Sequence, residues 1–130
     1  MTPTRLLVVD DEPGILEMFA SVFGKLGCTV VTAPGGVEAL RLAVDEPFDI
    51  AFCDTSMPVM SGLAVMRALH KLQIDLPVVI MTGYPSDESE LDAKLLGAFA
   101  YIAKPSEISV LETLIDRALA QSKAPRERTA

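Results

Sequence analysis

The sequence predicts an α/β fold, a doubly wound parallel sheet of five strands flanked by five helices in a three-layer sandwich. Three observations point there. Strand-like and helix-like segments alternate along the 130 residues. The clearest strand-like runs are continuously apolar, as strands covered on both faces must be. Acidic, hydroxyl and amino side chains fall just past the carboxyl ends of these runs, where open α/β sheets form their sites.

The elements follow in order. "RLLVV" (5–9), "DIAFC" (49–53) and "PVVIM" (77–81) read as doubly buried strands. "TVVTA" (29–33) and "FAYIA" (99–103) suit positions nearer the sheet edges. Between the first two, Ile15, Leu16, Phe19, Val22, Phe23 and Leu26 recur at helical spacing behind Pro13, a favourable first-turn residue. Val37, Leu40, Ala43 and Val44 mark a second helix, opened by Gly35-Gly36 and closed before Pro47. Leu63, Met66 and Leu69 mark a third.

A fourth helix, from about Ser86 to Leu96, has the weakest pattern, but Asp87, Glu88, Glu90 and Asp92 load its N-terminal half with favourable charge. A fifth carries Ile108, Leu111, Ile115 and Ala118 on one face, and Ser109 with Glu112 has capping-box spacing. Such alternation implies right-handed βαβ crossovers. The boundaries are a single unit over residues 4–121 and a short C-terminal tail or linker stub over 122–130.

Composition narrows the function. A net charge of −7 argues against direct nucleic-acid binding, which needs clustered lysine and arginine. No apolar run is long enough to span a bilayer. Cys28 and Cys53 sit in apolar stretches without metal spacing and read as core residues of a chain in the reducing cytoplasm. The same holds for Met57, Met60, Met66 and Met81, which read as packing. His70, the single histidine, reads as a partly exposed helix residue.

The strand ends carry the chemistry. The first run ends in Asp10-Asp11-Glu12, the third in Asp54, the fourth in Thr82-Gly83 and the fifth in Lys104-Pro105. Carboxylates gathered on one rim repel unless a hard cation neutralises them, and oxygen ligands suit Mg²⁺. Asp54 on the central strand is then the candidate nucleophile toward phosphorus. The metal, Lys104 and Thr82 would share the charge of the three equatorial oxygens. Each residue alone has an ordinary reading as turn or loop chemistry. Four such ends in one sheet are harder to explain that way.

The chain resembles the receiver domain of two-component response regulators (CheY-like, flavodoxin-like) from about Leu6 to Gln121. "LLVVDDEPG" looks like the family's opening strand and acidic pair, and "TAPGGVEAL" like its entry to the second helix. "FDIAFCDTSMPVMSG" resembles the phosphoacceptor strand and loop, and "PVVIMTGY" and "GAFAYIAKP" the last two strand ends. The resemblance implies strand order 2-1-3-4-5 and makes Asp54 the phosphoacceptor. Asp10 and Asp11 would hold Mg²⁺ together with Asp54 and the backbone carbonyl of Ser56. Thr82 would be the switch hydroxyl, Lys104 the phosphoryl-contacting lysine and Tyr101 the aromatic that turns inward as Thr82 moves. Pro58 and Gly62 would shape the loop after Asp54.

The implied donor is the phosphohistidine of a sensor histidine kinase or histidine phosphotransfer protein. The implied readout is an output domain or downstream protein docking on the fourth helix, fifth strand and fifth helix. Lys94, Lys104 and Arg117 also lie on those elements, so a homodimer through opposite charges is allowed. Ser56 and Tyr84 occupy the positions that tune acyl-phosphate lifetime, and Ser106 stands where an apolar or aromatic residue is common. Two other functions compete with the switch. One is an interaction module that is never phosphorylated. The other is an aspartate-nucleophile phosphatase, which would want a second acid where this chain has Ser56.

Overall fold

The computed structural model describes residues 2–104 and 106–129, with side chains described as far as residue 121. Among these, ten elements alternate: β1 (Arg5–Val9), α1 (Pro13–Lys25), β2 (Thr29–Ala33), α2 (Gly36–Asp45), β3 (Ile50–Asp54), α3 (Gly62–Leu72), β4 (Val78–Thr82), α4 (Asp87–Leu95), β5 (Ala100–Ala103) and α5 (Ile108–Thr129). The strands form one parallel sheet in the order β2-β1-β3-β4-β5, so β2 and β5 are its edges. The tail expected over 122–130 lies outside the described side chains, as does Pro105.

Strand periodicity divides the core in two. Leu6, Val8, Ile50, Phe52, Val79 and Met81 face α1 and α5, packing on Phe19, Phe23, Leu111, Leu114, Ile115 and Ala118. Phe19 lies at the centre of this layer, its ring centroid 5.0 Å from Phe52 and 5.7 Å from Phe23. Leu7, Val9, Ala51, Cys53, Val78 and Ile80 face the opposite layer of α2, α3 and α4, built from Ala39, Ala43, Val65, Met66, Leu69 and Ala93. Cys53 is fully buried on this side, and burial together with the adjacent Asp54 pushes its thiol up to about 12. A thiol held protonated in this way is an inert core residue.

Two strand bounds and one cap differ from expectation. β3 and β4 each begin and end one residue later than their apolar runs, so Asp54 and Thr82 are the last residues of their strands. Asp49 precedes β3 and is buried, its Oδ2 accepting the Arg5 N–H at 2.7 Å. The Ser109–Glu112 spacing does not make a capping box. Helix α5 already starts at Ile108, and the Glu107 carbonyl accepts the first N–H groups, from Val110 and Leu111. His70 is half-buried on α3, its Nε2 3.0 Å from the Leu76 carbonyl.

Candidate functional site

Parallel pairing puts the carboxyl ends of β1, β3, β4 and β5 side by side, and backbone bonds tie the residues beyond them. The Asp10 N–H donates to Ala33 O at 3.1 Å, Thr55 N–H to Met81 O at 2.9 Å, and Lys104 N–H to Thr82 O at 2.7 Å. Asp10, Asp54 and Thr82 are buried on this rim, while Asp11 is exposed. One carboxylate oxygen from each of Asp10, Asp11 and Asp54 lies within 4.8 Å of the others.

Lys104 reaches into this acidic group. Its Nζ is 3.0 Å from Asp10 Oδ2, 3.2 Å from Asp54 Oδ1 and 2.6 Å from Glu12 Oε1. Burial first, and then the Asp10 carboxylate, push the Asp54 carboxyl above its ordinary value. Lys104 opposes them by hydrogen bond and charge without cancelling them, and Asp11 adds a smaller upward push. Burial also works against the Lys104 charge, but Glu12, Asp10 and Asp54 outweigh it and hold the ammonium's pKa above the usual lysine value.

The donor set fits a hard divalent cation. All three acids offer oxygen, and Asp10 Oδ2 is buried without a hydrogen bond, held only by the non-directional approach of Lys104. A negative cluster with one unsatisfied buried oxygen is what a cation would complete.

The loop after Asp54 is tightly built. The Pro58 carbonyl accepts the Met60 N–H at 2.8 Å across Val59, whose φ is 73°. That is a γ-turn with a left-handed centre. Gly62 donates to Thr55 O at 3.1 Å, and a Cβ on Gly62 would stand 2.1 Å from the Asp54 carbonyl oxygen. Only glycine allows α3 to begin this close to β3. Ser56 is exposed on the same loop, with Oγ 3.5 Å from Thr55 Oγ1.

Thr82 and Tyr101 are held apart from the carboxylates by other partners. Thr82 Oγ1 accepts the Tyr84 N–H at 3.0 Å, and the Tyr84 side chain is 89% exposed, so it does not cover Asp54 in this state. The Tyr101 hydroxyl accepts the Ser86 N–H at 3.2 Å and shares a short hydrogen bond with Ser89 Oγ. The structure therefore gathers Asp10, Asp11, Asp54 and Lys104, with Thr82 on the same rim and Tyr101 tied to the start of α4. Sequence pattern does not single out the partners Glu12, Ser86 and Ser89. The acidic run at 10–12 is the only hint of Glu12; nothing local marks the two serines as tyrosine partners.

The family model for the response regulator receiver domain matches residues 6–116. This chain belongs to that family. A curated relative, the transcriptional regulatory protein GlrR of Escherichia coli K12, is 36% identical over 120 residues, covering 92% of this chain and 27% of the relative. The receiver thus spans about a quarter of the length of such relatives. Among solved structures, chemotaxis protein CheY4 of Vibrio cholerae is 30% identical with a TM-score of 0.85, covering 91% of this chain and all of that one. A response regulator from Burkholderia pseudomallei, solved with a phosphorylated aspartic acid, a calcium ion and citrate, is 28% identical with a TM-score of 0.82. That match covers 95% of this receiver and 72% of the other chain.

Proposed function

We propose that this receiver is a switch set by phosphorylation of Asp54. The observation that carries the reading is a buried carboxylate at the end of the central strand, beside two further acids and 3.2 Å from a lysine ammonium. An Asp54 oxygen attacks the phosphorus of a phosphohistidine. The O–P bond forms as the P–N bond breaks, and the imidazole nitrogen leaves with the bonding pair. Lys104 takes up one phosphoryl oxygen and Thr82 Oγ–H donates to another. Asp10, Asp11, Asp54 and the Ser56 carbonyl would hold Mg²⁺, which supplies neutralisation of the gathered negative charge. The phosphorylated aspartic acid and divalent ion of the Burkholderia structure support this assignment.

The donor is a sensor histidine kinase or histidine phosphotransfer protein, and the acyl phosphate's hydrolysis resets the switch. Movement of Thr82 toward the phosphoryl group frees the space into which Tyr101 turns. Turning breaks the Tyr101 bonds to Ser86 and Ser89 and so changes the face of α4, β5 and α5. An output domain or downstream protein reads that face, in line with the transcriptional regulators among its relatives, and a homodimer through it is a further use. The switch unit is residues 4–121, in the cytoplasm; no described helix is long and apolar enough to cross a membrane.

The test is direct. With Mg²⁺ and acetyl phosphate or phosphoramidate, intact mass rises by one phosphoryl group, and Asp54→Asn abolishes the gain. No gain from either donor or from a cognate kinase would leave an unphosphorylated interaction module.

A further inference from the structure

The lysine at the rim is crowded by acids. Lys104 Nζ hydrogen-bonds Glu12 at 2.6 Å and Asp54 at 3.2 Å, and Asp10 Oδ2 stands 3.0 Å away as an ion-pair partner. A phosphoryl oxygen has to compete with these carboxylates for the ammonium. The three differ sharply in what release costs. The Asp10 and Asp54 side chains are 0% and 5% exposed, so each would lose a charged partner without water to replace it. Glu12 is 62% exposed and regains its hydration at once.

Glu12 has no other task that explains its side chain. It is the N-cap residue of α1, where its carbonyl accepts from Ile15 and Leu16, but its carboxylate makes no capping bond. Glutamate is not among the side chains favoured at that position. Its own N–H is spent on Asp10 Oδ1 at 2.9 Å, which fixes the backbone beside the acidic pair and aims the side chain across the rim at Lys104.

We propose that Glu12 is a displaceable counter-ion. It holds Lys104 in place while Asp54 is unmodified and competes with the incoming phosphoryl oxygen for the ammonium. Glu12 is therefore a positioning residue that restrains phosphoryl uptake, and it does so at the binding of the donor rather than in bond exchange. The inference rests on Asp54 being the phosphoacceptor. With phosphoramidate, whose nitrogen carries the proton, Asp54 Oδ forms the O–P bond while the P–N bond breaks and neutral ammonia leaves with the bonding pair.

Initial rates of Asp54 phosphorylation are measured by intact mass against phosphoramidate concentration in saturating Mg²⁺, for wild type, Glu12→Gln and Glu17→Gln. The Glu17 variant removes the same charge from the exposed side of α1 at a residue that is no partner of Lys104. Glu12→Gln should lower the half-saturating donor concentration about two- to fivefold, the scale of one exposed ion pair, with a smaller change in maximal rate. Glu17→Gln should leave it in place. Affinity for beryllium trifluoride, a phosphoryl mimic, should tighten by a similar factor in Glu12→Gln alone. An unchanged or higher half-saturation in Glu12→Gln, or an equal shift in Glu17→Gln, overturns the proposal. Failure of wild type to accept a phosphoryl group from any donor or kinase is a different result, and sinks the reading of Asp54 itself.

Discussion

Val59 sits in the loop after Asp54 with a φ of 73° and 94% of its surface exposed, so a β-branched side chain bears positive-φ strain with no packing in return. Glycine, which has no Cβ, adopts positive φ freely. Val59→Gly should therefore stabilise the domain by about 0.5–1 kcal/mol, strain relief exceeding the added chain entropy, read as a higher urea midpoint at unchanged m-value. A lower midpoint would mean that the γ-turn is not the resting conformation of the loop. At this scale the sequence told much about identity and little about partnership. Asp10, Asp54, Thr82 and Lys104 were legible because strand ends in a parallel sheet must meet on one rim. The Glu12–Lys104 pair joins residues 92 positions apart, and no local pattern encodes which of three acids the lysine holds most closely.

Helix α4 shows why some elements are hard to read. Its "DESELDAKL" buries Ala93 alone, so apolar periodicity gives almost no signal. Its ends hold it instead: Ser86 Oγ accepts the Ser89 N–H at 3.1 Å, acids fill the first turn, and Lys94 pairs with Glu90 at 3.2 Å. The Tyr101 hydroxyl adds a bond to the Ser86 N–H. Ser86→Ala should remove the cap at a cost of about 1 kcal/mol. Amide exchange in α4 should then quicken about fivefold, while the strands stay protected. Unchanged α4 exchange would show that Tyr101, not the serine cap, anchors the helix start. The opposite error arose at α5, where Ser109 and Glu112 carried a plausible cap spacing. The periodic face at Ile108, Leu111 and Ile115 was the stronger guide, because burial of Leu111 and Ile115 draws Ile108 into the helix and leaves Ser109 inside it.

For the whole molecule, the acidic rim sets stability against function. Asp54's carboxyl is raised above its ordinary value of 3.8, chiefly by burial and then by Asp10. A group shifted upward on folding binds its proton more tightly in the native state. Its contribution to stability is full below the ordinary value and is lost as pH rises through the folded value. At neutral pH the ionised Asp54 thus weighs against the fold. Asparagine keeps the shape without the charge, so Asp54→Asn should melt at a higher temperature than wild type at pH 7 in chelator. The gap should close as pH falls below about 4, where both side chains are neutral. Mg²⁺ should reverse the ranking of benefit. At a hundredfold excess over its Kd a cation stabilises by about 2.7 kcal/mol. Wild type should take most of that gain at pH 7 and lose it on acidification as the carboxylates protonate, while Asp54→Asn should gain much less. Calorimetric melts of both proteins, with and without Mg²⁺ across this range, check every step. Greater stability of wild type in chelator at pH 7 would show that the Lys104 pairing outweighs burial and Asp10, and that the rim is not held under charge strain before a cation arrives.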